Sequence, residues 1–210
     1  MTRALRKTGA RTRRFLADAL TWRLPQRQNA VVAWSLVGGS IWFLGNLTPG
    51  AIEIGTLIAG VYLVLVLAAV CAIDARFGII PDGLNLALAT GGMADYTLEH
   101  GGELYAGILE AAAVFLAVAA FRSAFRALRG YDGLGFGDVK FLAAASLWIG
   151  FTALPGAILI SVGSALAAIL LLNAPRYAIG GRDAIPFGPH LAAGVWLTWI
   201  TGQVWTSGIT

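Results

Sequence analysis

Seven apolar stretches, separated by short polar segments, set the strongest constraint on how this 210-residue chain folds. A helix needs about 20 apolar residues to cross a hydrocarbon core of about 30 Å. Hydrophobic residues make up 58% of the chain and charged residues only 12%, far from the usual balance of a soluble domain. We therefore predict an all-α, polytopic membrane bundle with about seven transmembrane helices. The stretches run approximately over residues 30–48, 52–73, 84–98, 104–121, 139–152, 155–174 and 187–206.

Two of these stretches are short for a spanning helix. Residues 84–98 and residues 139–152 each follow a turn that contains Gly or Pro. A tilted, broken or partly re-entrant helix is therefore an alternative to a straight span at either place.

The first 29 residues differ in character from the rest of the chain. Eight of the fifteen Lys and Arg residues lie there, and Leu16, Leu20 and Leu24 contribute to a loosely helical apolar face. This pattern predicts an amphipathic helix that lies on the cytoplasmic membrane surface and ends at Pro25. Residues 30–210 show no internal repeat and no soluble domain, so we treat them as a single membrane domain.

Basic residues predict the orientation of the bundle, because Lys and Arg are costly to translocate. With the N-terminus in the cytoplasm, all fifteen fall in inner segments or at inner helix ends. Seven spans then place the C-terminus on the outer side of the membrane. The net charge of +4 follows from this asymmetry, so it does not predict binding to nucleic acid. The outer segments hold only acidic residues and one histidine, namely Glu53, Asp95, Glu99, His100 and Glu103.

Two aspartates are predicted at the same inner face. Asp74 ends the second apolar stretch, and Asp138 begins the fifth after a Gly-Phe-Gly turn at 135–137. Taken singly, Asp74 reads as a helix end neutralised by Arg76, and Asp138 reads as a helix N-cap. Taken together, they match an aspartyl protease, in which two close carboxyl groups share one proton and act as base and acid.

Several neighbouring residues are candidates for supporting roles. Gly135 and Gly137 lack side chains, which would let an extended substrate approach Asp138 closely. Asp82 follows a proline and either caps the next helix or belongs to the site. Lys140 lies two residues after Asp138, where it lowers the pKa of Asp138, holds a substrate carboxylate or extends to the membrane interface.

A second group of candidates lies elsewhere in the chain. Pro186, Phe187, Gly188 and Pro189 form an irregular segment that either pairs with an extended substrate or simply starts a helix. Glu110 lies inside the fourth stretch, where it either extends outward or lines a cavity. We expect His190 to be structural. Asp132 precedes the Gly-Phe-Gly turn, where an acid could attract a basic peptide.

Three ordered blocks together resemble the type IV prepilin peptidases of bacteria. The resemblance covers roughly residues 60–202, and it implies an integral-membrane GxGD aspartyl endopeptidase with Asp74 and Asp138 as its catalytic pair. It also implies a substrate, a type IV prepilin or a type II secretion pseudopilin, whose basic leader is removed at the cytoplasmic face of the inner membrane. Such hydrolysis is expected to need neither metal nor cofactor. The blocks are Ile73-Asp74 with Pro81-Asp82, Gly135-Phe136-Gly137-Asp138-Val139-Lys140, and Ile185-Pro186-Phe187-Gly188-Pro189.

The chain departs from this family in its cysteines. Many members carry a cytoplasmic insertion with two CxxC pairs that bind zinc, and they also methylate the new N-terminus of the pilin. Cys71 is the only cysteine here, so such a zinc site cannot form. We therefore expect cleavage without N-methyltransferase activity.

Two other classes of function stay open. A proton-coupled transporter relays protons through buried acids, but it would place them near the middle of the bilayer rather than at its edge. A catalytically idle relative would instead serve as an assembly factor of a pilus or secretion machine. The presence of both aspartates argues against that alternative.

Overall fold

The computed structural model describes Ser40 and residues 54–99, 101, 104–171 and 186–207. The predicted amphipathic helix of residues 1–29 lies outside the described residues, as does all of the first apolar stretch except Ser40. The described residues form helices and contain no strand, which agrees with the all-α prediction. The helices are α1 (Ile54–Phe77), α2 (Asp82–Glu99), α3 (Leu104–Arg129), α4 (Phe136–Leu171) and α5 (Gly188–Ser207).

Three of these helices are long and apolar enough to cross a membrane. They are α1, α3 and, within α4, the segment Phe136–Ala168. Large apolar side chains such as Leu65, Leu109 and Leu116 are exposed on their surfaces. A soluble protein rarely exposes so many large apolar groups, whereas lipid covers them at no cost. The structure therefore supports a multi-pass membrane protein.

α4 is broken at Gly150. The φ of +72° and ψ of 159° at this residue lie outside the helical region, in a conformation that is essentially confined to glycine. The carboxylate of Glu110, on α3, accepts a hydrogen bond from the backbone N–H of Phe151, just beyond the break. This contact caps the start of the second half of α4. The sequence predicts two stretches here, 139–152 and 155–174, and the break lies slightly before the predicted gap between them.

The two halves of α4 run in opposite directions. Asp138, at the start of the first half, lies beside the N-terminal end of α5. Trp148, just before the break, contacts Trp199 in the second half of α5, with ring centroids 6.5 Å apart. Ser164, beyond the break, contacts His190 near the start of α5, with 2.9 Å between Oγ and Nδ1. The chain therefore runs away from the N-terminal end of α5 and then returns to it.

A core of buried apolar side chains joins α1, α2, α4 and α5. Leu67, Leu88, Phe141 and Ile200 are almost completely buried in it. Trp148 fixes the packing of α4 on α2, because its Nε1 donates a hydrogen bond to the carbonyl oxygen of Leu88 at 2.8 Å. This core holds the helix ends that carry the two aspartates in fixed positions.

Tight turns end the helices that lead into the candidate site. Gly78 has a φ of +65°, and its N–H donates to the carbonyl oxygen of Asp74 at 2.7 Å, which closes α1. α2 starts after Pro81, whose carbonyl oxygen accepts a hydrogen bond from Leu84 at 3.0 Å. Gly130 has a φ of +77° and closes α3 in the same way. The short connection after α1 thus places Ile80 beside Gly137 and Asp82 beside Lys140, at the start of α4.

Candidate active site

Asp74 is a buried carboxyl group near the C-terminal end of α1. Only 4% of the residue is exposed, and its Oδ2 accepts a hydrogen bond of 2.7 Å from the backbone N–H of Gly188. Arg76 does not neutralise it: the guanidinium lies over the Phe77 ring, and no ion pair between Arg76 and Asp74 occurs in the described part of the chain. The structure thus gives Asp74 a buried hydrogen bond from Gly188, rather than the contact with Arg76 that the alternative interpretation of a neutralised helix end requires.

Asp138 lies in the first turn of α4, close enough to Asp74 for the two carboxyl groups to interact electrostatically. The backbone of Gly135 donates a hydrogen bond to the Asp138 carboxylate. Because α4 begins at Phe136, Asp138 occupies an internal position of the first turn, so the predicted N-cap role is not what the structure shows. The structure brings together the two aspartates that the sequence pairs. Such a pair can share one proton and act as acid and base on one water molecule.

Three glycines permit close backbone contacts at the site, two of them with the carboxyl groups and one with Ile80. A Cβ atom at Gly188 would lie 2.8 Å from Cβ, Cγ and Oδ2 of Asp74, closer than such atoms approach in real structures. At Gly135 it would lie 3.0 Å from Oδ2 of Asp138, and at Gly137 it would lie 3.3 Å from the carbonyl oxygen of Ile80. These glycines serve packing within the chain. Their predicted contact with a substrate stays a prediction.

Asp82 and Lys140 form an ion pair beside the site. Lys140 Nζ lies 2.6 Å from Asp82 Oδ1 and 5.0 Å from the centroid of the Phe136 ring. The pair joins the first residue of α2 to the first turns of α4. Because Asp82 is largely exposed, the pair contributes about 1 kcal/mol or less to the stability of the fold. None of the three roles predicted for Lys140 included this contact.

The segment 186–189 starts a helix and also supplies a contact to the site. Pro186 and Phe187 have no regular structure, α5 begins at Gly188, and Pro189 lies in its first turn. The carbonyl oxygen of Phe187 accepts hydrogen bonds from the N–H groups of His190 and Leu191, each at 3.0 Å. The helix-start interpretation is thus confirmed, and pairing with a substrate stays a prediction. Ile185, the first residue of the predicted block, lies outside the described residues.

Three further acidic or basic candidates have partners in the structure. His190 is buried and bonds to Ser164, which agrees with a structural role. Glu110 binds the Phe151 N–H and lines a cavity of about 650 Å³ around Gly150, at the opposite end of the first half of α4 from Asp138. Asp132 is already paired with Arg122 at 3.0 Å, so the structure does not present it as a free acid.

Sequence reasoning missed two polar residues that contact the turn before Asp138. Asn85, in the first turns of α2, is buried, and its Nδ2 lies 3.4 Å from the carbonyl oxygen of Gly137. Arg122, on α3, donates from Nε to the carbonyl oxygen of Leu134 at 2.8 Å. Neither residue belongs to a recognisable sequence motif. Both contacts depend on how the helices pack together, so the sequence alone carries no signal for them. Among the described residues, no group of three or more His, Cys, Asp or Glu side chains is arranged to hold a metal ion.

Comparison with known proteins identifies close relatives of this chain. It is 36% identical over 154 residues to the prepilin leader peptidase/N-methyltransferase of Burkholderia pseudomallei, covering 71% of this chain and 50% of that protein. It is 37% identical over 162 residues to the protein of that name from Aeromonas salmonicida, covering 75% and 53%, respectively. For the protein of that name from Dickeya chrysanthemi, the identity is 33% over 175 residues, covering 83% and 58%.

The chain spans about half the length of these curated relatives. No solved structure matches it. The model of the type IV leader peptidase family matches residues 61–172, which include both aspartates, both glycines of the turn and Lys140. The match covers more than half of the sequence, and the chain belongs to the type IV leader peptidase family.

Proposed function

We propose that this protein is an integral-membrane aspartyl endopeptidase that removes the short basic leader from type IV prepilins or type II secretion pseudopilins. The observation that carries the proposal is the juxtaposition of Asp74 and Asp138, two carboxyl groups from different helices that interact beside the N-terminal end of α5. Membership of the type IV leader peptidase family and the names of the relatives support the choice of substrate.

The proposed mechanism uses the pair as one unit. One carboxylate takes a proton from a water molecule while the other carboxyl group protonates the peptide carbonyl oxygen or the leaving nitrogen. The hydrogen bond from Gly188 to Oδ2 fixes the orientation of the Asp74 carboxyl group. Fixed orientation matters because the attacking water must lie within hydrogen-bonding distance of its base.

We propose seven transmembrane helices and a cytoplasmic amphipathic helix over residues 1–29. In this arrangement Asp74 and Asp138 face the cytoplasm, the C-terminus lies in the periplasm, and the protein is anchored in the bacterial inner membrane. The asymmetry of Lys and Arg supports this orientation. A prepilin leader that stays in the cytoplasm would then reach the pair, and the cut would fall just before the apolar helix of the prepilin.

The first test replaces each aspartate with asparagine, which keeps the shape of the side chain and removes its acid–base function. Purified wild type in detergent should cleave a prepilin, and Asp74→Asn and Asp138→Asn should each lower kcat by about 10²–10⁴-fold. Asp95→Asn, at the other end of α2, is the control and should cleave as the wild type does. Full activity in either Asp74→Asn or Asp138→Asn would exclude the pair. No cleavage by the wild type would favour the idle assembly factor.

We also propose that cleavage proceeds without N-methylation of the product. The support is the single cysteine of the 210-residue sequence, Cys71, which cannot build a four-cysteine zinc site. Incubation with prepilin and S-adenosylmethionine should yield a mature pilin whose N-terminus has its unmodified mass by mass spectrometry. A product heavier by one methyl group would contradict this part of the proposal and leave the peptidase assignment intact.

A further inference from the structure

The segment 130–135, which leads from α3 into α4, is packed against one face of α3. The rings of Tyr131 and Phe125 meet edge to face, with centroids 5.6 Å apart. Gly133 lies directly on the Phe125 ring, and a Cβ atom there would be 2.7 Å from Cδ1 of that ring. Gly130, Gly133 and Gly135 give this short segment a large conformational freedom in the unfolded chain, so ordering it is costly.

Arg122 makes the polar contacts that order this segment. Its Nη2 lies 3.0 Å from Asp132 Oδ1, and its Nε donates to the carbonyl oxygen of Leu134 at 2.8 Å. Its guanidinium carbon lies 5.7 Å from the centroid of the Phe136 ring. One side chain thus contacts three alternate residues of the chain immediately before Asp138. The rigid fork of a guanidinium suits several simultaneous contacts of this kind, and a lysine cannot reproduce them.

Arg126, one turn further along α3, provides a natural comparison. It approaches the same acid, Asp132, but only to 3.8 Å, and 65% of its side chain is exposed. The Arg122 side chain is 21% exposed. Exposed ion pairs contribute little, whereas partly buried charge-assisted hydrogen bonds to a backbone carbonyl hold a segment in place. A comparison of Arg122 with Arg126 therefore distinguishes the effect of ordering the segment from the effect of a positive charge at the end of α3.

We propose that Arg122 is a positioning residue: it orders the segment 130–135 and thereby holds Asp138 at the correct distance from Asp74. The inference rests on the proposed function of the pair. Asp138 follows Phe136 by two residues, so a segment that moves at Leu134 and Phe136 carries the carboxyl group with it. Displacement of a reacting group by about 1 Å costs up to about a hundredfold in rate.

The test compares Arg122→Lys with Arg126→Lys, two substitutions that keep the charge and the helix propensity. Wild type and both variants, purified as full chains in detergent, are assayed for prepilin cleavage to obtain kcat and KM. We expect Arg122→Lys to lower kcat by about ten- to a hundredfold with little change in KM. Arg126→Lys should match the wild type in both constants.

A second measurement follows the segment itself. Limited digestion with chymotrypsin, which cuts after aromatic residues, should attack Tyr131 and Phe136 faster in Arg122→Lys than in the wild type or Arg126→Lys. This readout does not depend on catalysis. If the wild type fails to cleave prepilin, the proposed function fails, and the chymotrypsin comparison alone still decides whether Arg122 orders the segment.

Wild-type kcat in Arg122→Lys would overturn the inference, as would equal losses in Arg122→Lys and Arg126→Lys. If Arg122→Lys does not yield folded protein, Asp132→Asn replaces it, because this change removes the ion pair and leaves the bond from Arg122 to Leu134. We expect Asp132→Asn to lower kcat in the same direction by a smaller factor. An unchanged kcat in that variant would also overturn the inference.

Discussion

The carboxyl group of Asp74 packs closely against the backbone of Gly188, a residue that has no side chain. The backbone N–H of Gly188 reaches Oδ2 of Asp74 at 2.7 Å because nothing on the α carbon separates the two. Any larger residue would push the N-terminal end of α5 away from α1. If a buried carboxyl group loses its hydrogen bond, its desolvation is no longer compensated, and the folded state is destabilised by about 1–3 kcal/mol, or by more if the group is charged.

We expect Gly188→Ala to lower prepilin cleavage by about tenfold or more, since it displaces the group that orients Asp74. The matched control is Gly163→Ala in α4, where a Cβ atom would meet nothing within 4 Å. Replacing that helical glycine with alanine should stabilise the protein by about 0.5–1 kcal/mol and leave cleavage unchanged. Equal activity in the two alanine variants would show that the contact between Gly188 and Asp74 is dispensable.

The two aspartates could be found from the sequence because each stands at the end of an apolar stretch. Neither charge is informative alone, because a charged residue near the membrane interface costs little, and only the prediction of both aspartates at one face makes them a candidate pair. The contacts of Gly188 and Arg122 could not be found in this way, since they depend on how α5 and α3 pack. Before packing, Arg122 cannot be distinguished from Arg126, which lies on the same helix end and carries the same charge.

Among the elements, α4 contains two of the predicted stretches, 139–152 and 155–174, with a break between its two halves. The sequence places the gap at residues 153 and 154, whereas the break lies at Gly150, because the residues on both sides of Gly150 are equally apolar. Pro155 offers a more obvious breaking point, yet it lies inside the second half of the helix. The φ of Gly150 decides the position of the break.

We expect Gly150→Ala to destabilise the protein by about 1–3 kcal/mol, because alanine is strained at this φ and ψ. Unfolding by SDS in mixed micelles, followed by circular dichroism, measures the difference. Gly156→Ala is the control, since a Cβ atom there also meets nothing within 4 Å and the residue is helical. If both substitutions have the same effect, the break in α4 does not depend on the conformation of Gly150.

At the scale of the whole molecule, the arrangement of helix ends makes a prediction about membrane topology. Reporter fusions near residues 80 and 130 should report the cytoplasm, since both positions lie beside the aspartates. Fusions near residues 100 and 152 should report the periplasm, because the first lies between α2 and α3 and the second lies just after the break in α4. A cytoplasmic signal at 152 would contradict the reversal in α4, and a periplasmic signal at 130 would contradict the orientation.

The break at Gly150 also determines where the second half of α4 leads. A straight helix of the 36 residues of α4 would be about 54 Å long, almost twice the thickness of a hydrocarbon core. The two halves of α4 instead run away from the N-terminal end of α5 and back to it, so that Asp138 and Ser164 both lie near that end. A straight α4 would carry Ser164 far from His190, its hydrogen-bond partner at the start of α5. The reversal of α4 thus allows both ends of one long apolar helix to pack against the start of the helix whose Gly188 N–H bonds to Asp74.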